Sequence, residues 1–538
     1  MSPGPTTASR LVRDGLADSR VVFGPGGARV SGLELGARGE RLFDAAAGAD
    51  AVGVLMTNDR PTVEVVIGAL LAGARLVSLP PPGRGADLAE YAAFIAATRA
   101  AHGLAEVVVA DEFAGLLGGI GVPARAHTAL PDRPLATPHP DGFSLVQYTS
   151  GSTQQPRPVI LDDARIGANI AALLQVLAPG PGHALVSWLP LSHDMGLIGM
   201  LLTAAAGAGP EWAAGGELVL LDPRAFLRRP GEWIEVLSRS NAAFTGAPDF
   251  AFRMAAERRA GPGLDLSSLR CAIVGGEIVR AETLDAFAAA YRDQGLDPRA
   301  LCPAYGMAEL AVAATMTPPE VPWQELSVSP LALADGGVRP AGGAEAPCRL
   351  VASGRALPGY EVAAGGDGET GQVAVLGPSL GVDGVTGRPL AGAGGWYQTG
   401  DAGFVDGDWL YVCGRLDDWV VSHGRNIYAP AVEAAVGALG GVRAGRVTAV
   451  GLPTGGWTIL AEPDARGLLG PTEAAALRRE IRRVAVDVAA TRPEGVVIVA
   501  PGSLPLTASG KLQRNQARSR LLRGDLADLA GAAGAPVG

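Results

Sequence analysis

One stretch decides how the chain is read: residues 147–159, which run QYTSGSTQQPRPV from Gln147 to Val159. Four hydroxyl side chains and one glycine fall within the five residues from Thr149 to Thr153. A glycine lets the backbone turn tightly and lets a ligand approach the main chain. Consecutive exposed N–H groups in such a turn form a concavity that binds anions. Because apolar residues flank the stretch on both sides, the pattern predicts a hairpin-like loop that carries a phosphate.

Two commoner phosphate-binding motifs are absent from this stretch. It lacks the G-x-x-x-x-G-K-[ST] pattern of a Walker A loop. No G-x-G-x-x-G follows a strand and opens a helix, as it would in a dinucleotide-binding fold. A loop rich in serine, threonine and glycine is most often only a loop, so its interpretation depends on what lies downstream.

Five blocks of sequence, taken in order, resemble the motifs of one superfamily. They are Tyr148–Thr153, Ser187–Gly199, Tyr305–Glu309, Thr399–Asp401 together with Gly414–Arg415, and Leu504–Lys511. These blocks are similar to those of adenylate-forming enzymes, which include acyl-CoA synthetases, nonribosomal-peptide adenylation domains and luciferases. The nearest branch is the fatty acyl-AMP ligases. The resemblance covers nearly the whole chain and is weakest at its N-terminal end.

The resemblance implies an α/β fold with two domains. A large N-terminal domain, residues 1–415, would hold parallel-rich sheets with helices and would bind nucleotide and acyl group. A small mobile C-terminal α+β domain, residues 416–538, would carry Lys511, with the hinge at Asp417. The alternation of a strand at 51–56, a helix at 62–74 and a strand at 75–79 independently predicts a parallel sheet.

The resemblance also implies a reaction and assigns roles to residues. A carboxylic acid would be activated by ATP and Mg²⁺ as an acyl-adenylate, and its acyl group would pass to a phosphopantetheine thiol of CoA or an acyl carrier protein. Lys511 and His193 would act on the reacting carboxylate, and Glu309 would hold Mg²⁺, which usually takes one or two carboxylates plus substrate phosphates. The nucleotide would be bound by Thr149, Ser150, Gly151, Ser152, Thr153, Arg157, Gly276, Glu277, Tyr305, Gly306, Met307, Ala308, Glu309, Asp401 and Arg415.

The sequence departs from the family pattern at several of these positions. Arg157 and Pro158 replace the family's Lys-Gly at the end of the phosphate loop. Arginine is no conservative substitute for a flexible lysine, and proline fixes φ and deletes an N–H, so we expect a stiffer loop with one phosphate donor fewer. Asp249 stands where fatty acyl-AMP ligases usually carry asparagine. A buried carboxylate is costly unless it is paired, which predicts a different substrate preference.

These departures leave alternatives open. The enzyme could perform only thioesterification, on a preformed acyl-adenylate supplied by a partner adenylating enzyme. In another class, the protein could bind acyl-adenylate without catalysis, although the retained Lys511, Asp401 and Glu309 argue against this. The thiol acceptor is also open, since an insertion-like segment at 318–348 indicates a carrier protein and Asp417 indicates CoA.

Composition excludes other classes of function. A net charge of −10 argues against non-specific nucleic-acid binding, which needs a basic face. The four cysteines are scattered without a C-x-x-C, which argues against a zinc site or disulfide framework and fits a reducing cytosol. No signal peptide and no uninterrupted apolar run of membrane-spanning length is present. We therefore expect a cytoplasmic protein.

Overall fold

A computed structural model describes residues 6–43, 51–83, 87–132, 139, 142–149, 156–180, 182–207, 217–343, 345–416, 419–464, 471–506 and 512–529. Within these ranges the α-helices are α1 (Ala8–Gly15), α2 (Gly32–Glu40), α3 (Arg60–Ala72), α4 (Leu88–His102), α5 (Asp111–Gly119), α6 (Asp163–Leu177), α7 (Thr203–Ala206), α8 (Pro223–Arg228), α9 (Pro230–Arg239), α10 (Asp249–Glu257), α11 (Ala281–Tyr291), α12 (Pro330–Ala334), α13 (Ala429–Gly437), α14 (Pro471–Ala489) and α15 (Arg514–Arg523).

The strands are β1 (Arg20–Phe23), β2 (Arg29–Ser31), β3 (Ala51–Leu55), β4 (Arg75–Leu79), β5 (Val107–Val109), β6 (Ala124–Ala126), β7 (Ser144–Thr149), β8 (Arg157–Asp162), β9 (Ala184–Ser187), β10 (Glu217–Leu220), β11 (Ala242–Ala247), β12 (Cys271–Val274), β13 (Leu301–Tyr305), β14 (Thr315–Met316), β15 (Glu325–Val328), β16 (Cys348–Val351), β17 (Arg355–Ala356), β18 (Glu361–Ala363), β19 (Gly371–Leu376), β20 (Val382–Asp383), β21 (Tyr397–Asp406), β22 (Trp409–Arg415), β23 (Val420–Ser422), β24 (Arg425–Ile427), β25 (Val442–Gly451), β26 (Trp457–Pro463) and β27 (Gly495–Ile498).

Two large sheets form the body of the molecule. One has the order β17-β14-β13-β12-β11-β9-β10-β1-β2, and the other the order β20-β8-β7-β4-β3-β5-β6. The run from β13 to β1 and the run from β7 to β6 are parallel. Parallel strands are covered on both faces by helices, so they read as nearly continuous apolar runs. The α/β class with parallel-rich sheets is confirmed, as is the predicted strand–helix–strand unit at β3, α3 and β4.

The stretch quoted first lies on the β7–β8 hairpin, whose strands pair antiparallel from Ser144 opposite Asp162 to Thr149 opposite Arg157. The loop between them, with Ser150, Gly151, Ser152 and Thr153, is outside the described residues. Within this pairing Pro158 lies in β8, and its carbonyl accepts a hydrogen bond from Gly384 N at 2.9 Å. The N–H and C=O of one strand residue point to the same side. The donor that Pro158 lacks would therefore face the turn after β20.

The chain beyond Arg415 builds a three-stranded sheet, β25-β26-β27, with α13 and α15 packed on β25 and α14 packed on α13 and β27. One apolar cluster extends across the predicted domain boundary. It joins Phe404 and Tyr411 to Tyr428 and Val432, and the Tyr428 hydroxyl donates to Cys413 O at 2.8 Å. The division at 415/416 stays a prediction.

The insertion-like segment at 318–348 forms β15 and α12 and leads into β16. Its helix α12 contacts α14 and β24 of the C-terminal part. On the other side, Arg349 on β16 forms ion pairs with Glu325 at 2.7 Å and with Asp285 on α11 at 2.8 Å. The segment therefore touches both the large body and the C-terminal part.

None of the helices in the described part of the chain combines the length and apolar character that a membrane span requires.

Candidate active site

Several predicted site residues lie at the carboxyl ends of parallel strands in the nine-stranded sheet. His193 follows β9, Gly276 follows β12, and Glu309 follows β13. In open α/β sheets this edge is the usual place for a ligand. A cleft at this edge is lined by Trp188, Leu189, Pro190, His193, Met195, Pro248, Gly275 and Gly276. The structure thus brings His193 and Gly276 to one cleft.

The turn that carries His193 is fixed by its neighbours. His193 Nδ1 contacts the buried carboxylate of Asp194, which also accepts a hydrogen bond from Met195 N at 2.7 Å. Gln147 on β7 donates its side-chain amide to Ser192 O at 2.6 Å. The strand that leads into the loop predicted to bind phosphate is therefore tied directly to the His193 turn.

Asn58 is a second support of this region, and sequence reasoning missed it. Its Nδ2 donates to Leu189 O and to Leu221 O, both at 2.9 Å. Its Oδ1 accepts from Leu191 N at 3.1 Å. In the sequence, Asn58 is recognisable only as part of a polar turn before a helix, and this pattern does not indicate its distant hydrogen-bond partners.

Two methionine side chains pack over Gly246 on β11, and one of them, Met195, lines the cleft. Residues Met195–Leu202 wind as a π-helix that continues into α7, a rare form that is frequent at functional sites. A Cβ added at Gly246 on β11 would lie 2.6 Å from Met200 Cε and 2.9 Å from Met195 Cε. The two thioether methyl groups therefore fill the space over Gly246, and a larger residue there would require them to move.

The residues predicted to bind adenosine also come together. The Tyr305 hydroxyl donates to Asp401 Oδ2 at 2.6 Å, and Arg415 Nη1 lies 3.7 Å from Asp401 Oδ1. Asp401 and Arg415 are directly opposite each other on β21 and β22. Burial, followed by the charge of Asp401, raises the pKa of Tyr305 well above its ordinary value, so Tyr305 is a neutral hydrogen-bond donor. Gly306 is required next to it, because a Cβ there would overlap the Val312 carbonyl.

Glu309 meets the requirements of a magnesium ligand. Burial raises the pKa of its carboxyl group, the charge of Asp194 adds to this, and Arg415 opposes it. In the part of the chain that the structure describes, Glu309 has no ion pair and no side-chain hydrogen-bond donor, and no group of three metal-ligating side chains forms a cage. Such a half-buried carboxylate fits Mg²⁺, which takes few protein ligands and completes its shell with phosphate and water.

Other predicted residues are placed differently or not described. Glu277 Oε1 accepts a hydrogen bond from Phe250 N at 2.7 Å, so this carboxylate caps the first turn of α10, and its contact with adenine stays a prediction. The hydroxyl of Thr149 donates to Arg157 O at 3.4 Å, and Arg157 itself is exposed. Lys511 and Asp417 lie outside the described residues.

Asp249 is fully buried yet does not lack partners. Its Oδ1 accepts from Arg280 N at 2.9 Å, and its Oδ2 from the Thr283 hydroxyl at 3.0 Å. The guanidinium groups of Arg280 and Arg253 lie 3.6 and 3.9 Å from Oδ2. The carboxylate is therefore satisfied between α10 and α11, and Pro248, the residue before it, lines the cleft.

Comparisons with known proteins agree with this geometry. Residues 44–381 match the family described as AMP-binding enzyme. Relatives include the long-chain-fatty-acid–AMP ligase FadD26 of Mycobacterium marinum, 29% identical over 86% of each chain, and FadD28 of Mycobacterium tuberculosis, 30% identical over 69% of each.

Solved structures show the same fold. One from a study of fatty acyl-adenylate ligases of E. coli and L. pneumophila superposes with a TM-score of 0.87 at 24% identity, covering 97% of this chain and 98% of that one. McyG A-PCP, complexed with phenylalanyl-adenylate, superposes with a TM-score of 0.79 at 17% identity, covering 97% and 84%. This chain therefore belongs to the AMP-binding enzyme family and is an adenylate-forming ligase.

Proposed function

We propose that this ligase activates a fatty acid or related carboxylic acid as its acyl-adenylate and transfers the acyl group to a phosphopantetheine thiol, on CoA or on an acyl carrier protein. The observation that carries the proposal is the grouping of Tyr305, Glu309, Asp401 and Arg415 beside the His193 cleft. The names of the FadD26 and FadD28 relatives support the choice of a long-chain acid.

Each step of the proposed first half-reaction is assigned to particular residues. The Tyr305 ring stacks on adenine, and Asp401 accepts hydrogen bonds from the ribose hydroxyls. Glu309 holds Mg²⁺, which supplies charge neutralisation at the phosphates when it is bound. A carboxylate oxygen attacks the α-phosphorus, pyrophosphate leaves, and Lys511 neutralises the charge between the two groups. Positioning and electrostatics supply most of the catalysis in such transfers.

The second half-reaction uses the predicted domain division at 415/416. The thiol attacks the acyl carbonyl and AMP leaves. Rotation about Asp417 withdraws Lys511 and brings the Gly424–Arg425 turn to the site, a closure step of the kind that often controls turnover.

The position of Pro158 weakens the case against adenylation. Pro158 is paired within β8, and its missing N–H would face the turn after β20. The comparisons also favour a ligase over a thioesterification-only enzyme and over a non-catalytic binding protein. The proposed function therefore includes both adenylation and thioester formation.

Paired half-reactions on the full chain test the proposal. One reaction contains ATP, Mg²⁺ and acids of increasing chain length and is read for pyrophosphate. The other contains synthetic acyl-adenylates with CoA or a holo carrier protein and is read for thioester by mass. We expect acid-dependent pyrophosphate release, lowered about a hundredfold in Glu309→Gln. Thioester without pyrophosphate would show that the first half is lost, and no product in either reaction would indicate a binding protein.

A further inference from the structure

Three residues that are far apart in the sequence meet beside the Glu309 turn. Asn169 on α6, Tyr360 before β18 and Ser379 after β19 are all buried. Asn169 Nδ2 donates to the Tyr360 hydroxyl at 2.6 Å, and this hydroxyl donates to Ser379 Oγ at 2.6 Å. Ser379 Oγ in turn donates to Leu310 O at 2.6 Å. The chain of hydrogen bonds therefore ends on the residue next to Glu309.

The Asn169 side chain also takes the place of a strand partner for Ala313. Its Nδ2 donates to Ala313 O at 2.7 Å, and its Oδ1 accepts from Ala313 N at 3.3 Å. In addition, Gly381 N donates to Glu309 O at 2.9 Å. The backbone from Glu309 to Ala313 is thus held at three points by groups outside the turn.

The turn needs this support because its backbone is strained. Ala311 has φ 69° and ψ −64°, a conformation that residues other than glycine rarely adopt. Such conformations persist only where the surrounding structure over-determines them, and they cluster at functional sites. Here the buried polar network around Asn169 holds Ala311 in its strained conformation.

We propose that Asn169, together with Tyr360 and Ser379, is a positioning residue that holds Glu309 in place for Mg²⁺. The inference rests on the magnesium-binding role proposed for Glu309. The Asn169 side chain hydrogen-bonds to Ala313 and Tyr360, so it acts through the peptide groups that set the direction of the Glu309 side chain. Removing a partner that hydrogen-bonds a metal ligand typically changes metal affinity by about 10- to 100-fold; this network contacts the backbone beside Glu309, so we expect an effect at the lower end of that range.

The test compares two variants of the network with one matched control. Asn169→Ala removes the side-chain amide, and Tyr360→Phe removes one hydroxyl. The control is Tyr291→Phe, because Tyr291 is also buried and its hydroxyl donates to Ala255 O at 2.8 Å, remote from Glu309 in α11. All three variants lose buried hydrogen bonds, so a general loss of stability would affect them alike.

Two measurements follow metal binding directly. The first is the affinity of the full chain for Mn²⁺ in the presence of a non-hydrolysable ATP analogue, read by electron paramagnetic resonance. The second is the Mg²⁺ concentration that gives half-maximal pyrophosphate release. We expect both to weaken roughly tenfold in Asn169→Ala and Tyr360→Phe, with the rate at saturating Mg²⁺ nearly unchanged and no change in Tyr291→Phe.

The outcomes separate this inference from the proposed function. If metal affinity falls no further in the network variants than in Tyr291→Phe, the positioning role is wrong; should Asn169→Ala not fold, Tyr360→Phe decides. If the wild type binds Mn²⁺ but releases no pyrophosphate with any acid, the proposed function fails while the Mn²⁺ comparison still decides the inference. If the wild type binds no Mn²⁺ with the analogue, the inference is overturned together with the role of Glu309.

Discussion

At the scale of single residues, Asp249 shows how a substitution that looks disruptive in the sequence is accommodated. Burial raises the pKa of Asp249 to about 6, opposed by Arg280, whereas its ordinary value is 3.8. Between these two values the folded protein keeps a proton that the unfolded chain releases. The contribution of this group to the free energy of unfolding is therefore lost as pH rises from about 4 to about 6. Above pH 6 there is no further loss.

We predict that Asp249→Asn changes the pH dependence of stability. Asparagine cannot ionise, so the free energy of unfolding of the variant should improve relative to wild type by up to about 3 kcal/mol between about pH 4 and about pH 7. Thermal melts across this range measure the difference. Asp297→Asn gives a control of opposite sign, because a hydrogen bond from Arg299 lowers the pKa of Asp297. A difference between wild type and Asp249→Asn that is independent of pH would contradict the prediction.

At the scale of secondary-structure elements, helix α4 supports the strand that enters the loop predicted to bind phosphate. Tyr148, the residue before Thr149, has its hydroxyl 3.1 Å from His102 Nε2 at the end of α4. The Tyr148 ring packs edge-on against Phe94 of the same helix, with 5.2 Å between ring centroids. Burial lowers the pKa of His102, so the imidazole is neutral near pH 7 and this contact is an ordinary hydrogen bond.

We predict that Tyr148→Phe raises the KM for ATP about two- to tenfold and changes kcat little, because one hydrogen bond contributes about 0.5–1.5 kcal/mol. Steady-state pyrophosphate release at varied ATP measures this. Tyr91→Phe is the matched control, since the hydroxyl of Tyr91 on the same helix donates to Pro80 O at 3.0 Å. Equal effects in the two variants would mean that α4 acts only through general stability.

Elements whose apolar residues recur at a clear helical or strand spacing could be predicted from the sequence. Elements without such a spacing could not. Helix α11 (Ala281–Tyr291) can be predicted from the sequence, because its apolar residues recur at helical spacing and Pro and Gly are absent from it. The π-helix Met195–Leu202 is apolar throughout and so carries no period. Asn169 and Tyr360 could not be assigned either, because their partners are distant in sequence and only the folded sheets bring them together.

At the scale of the whole molecule, the proposed mechanism requires the C-terminal part to take two positions. The apolar cluster that includes Phe404 and Val432 and the contacts of α12 with α14 stabilise one position. Any rotation must break these contacts and replace them. The resemblance to adenylate-forming enzymes supplied the idea of a mobile domain, whereas the contacts that oppose motion became visible only in the fold.

We predict that Lys511→Ala separates the two half-reactions. Pyrophosphate release should fall by about 10²- to 10³-fold, the usual effect of removing one electrostatic contact to a transition state. Thioester formation from a synthetic acyl-adenylate should change little, because Lys511 is withdrawn in that step. Parallel assays of the two reactions measure the ratio. Arg523→Ala, on the same C-terminal segment and exposed, is the control; a proportional loss of both activities in Lys511→Ala would rule out the rotation.

The packing of Met195 and Met200 over Gly246 has a consequence for substrate selectivity. A wall of branched or aromatic side chains has a set shape and sharply divides ligands that fit from those that do not. Thioether side chains are unbranched and adaptable, so Met195 and Met200 can withdraw by differing amounts. If the acyl chain packs against these two methionine side chains, the activity of the enzyme should change gradually with each added methylene group, with no abrupt cut-off in chain length.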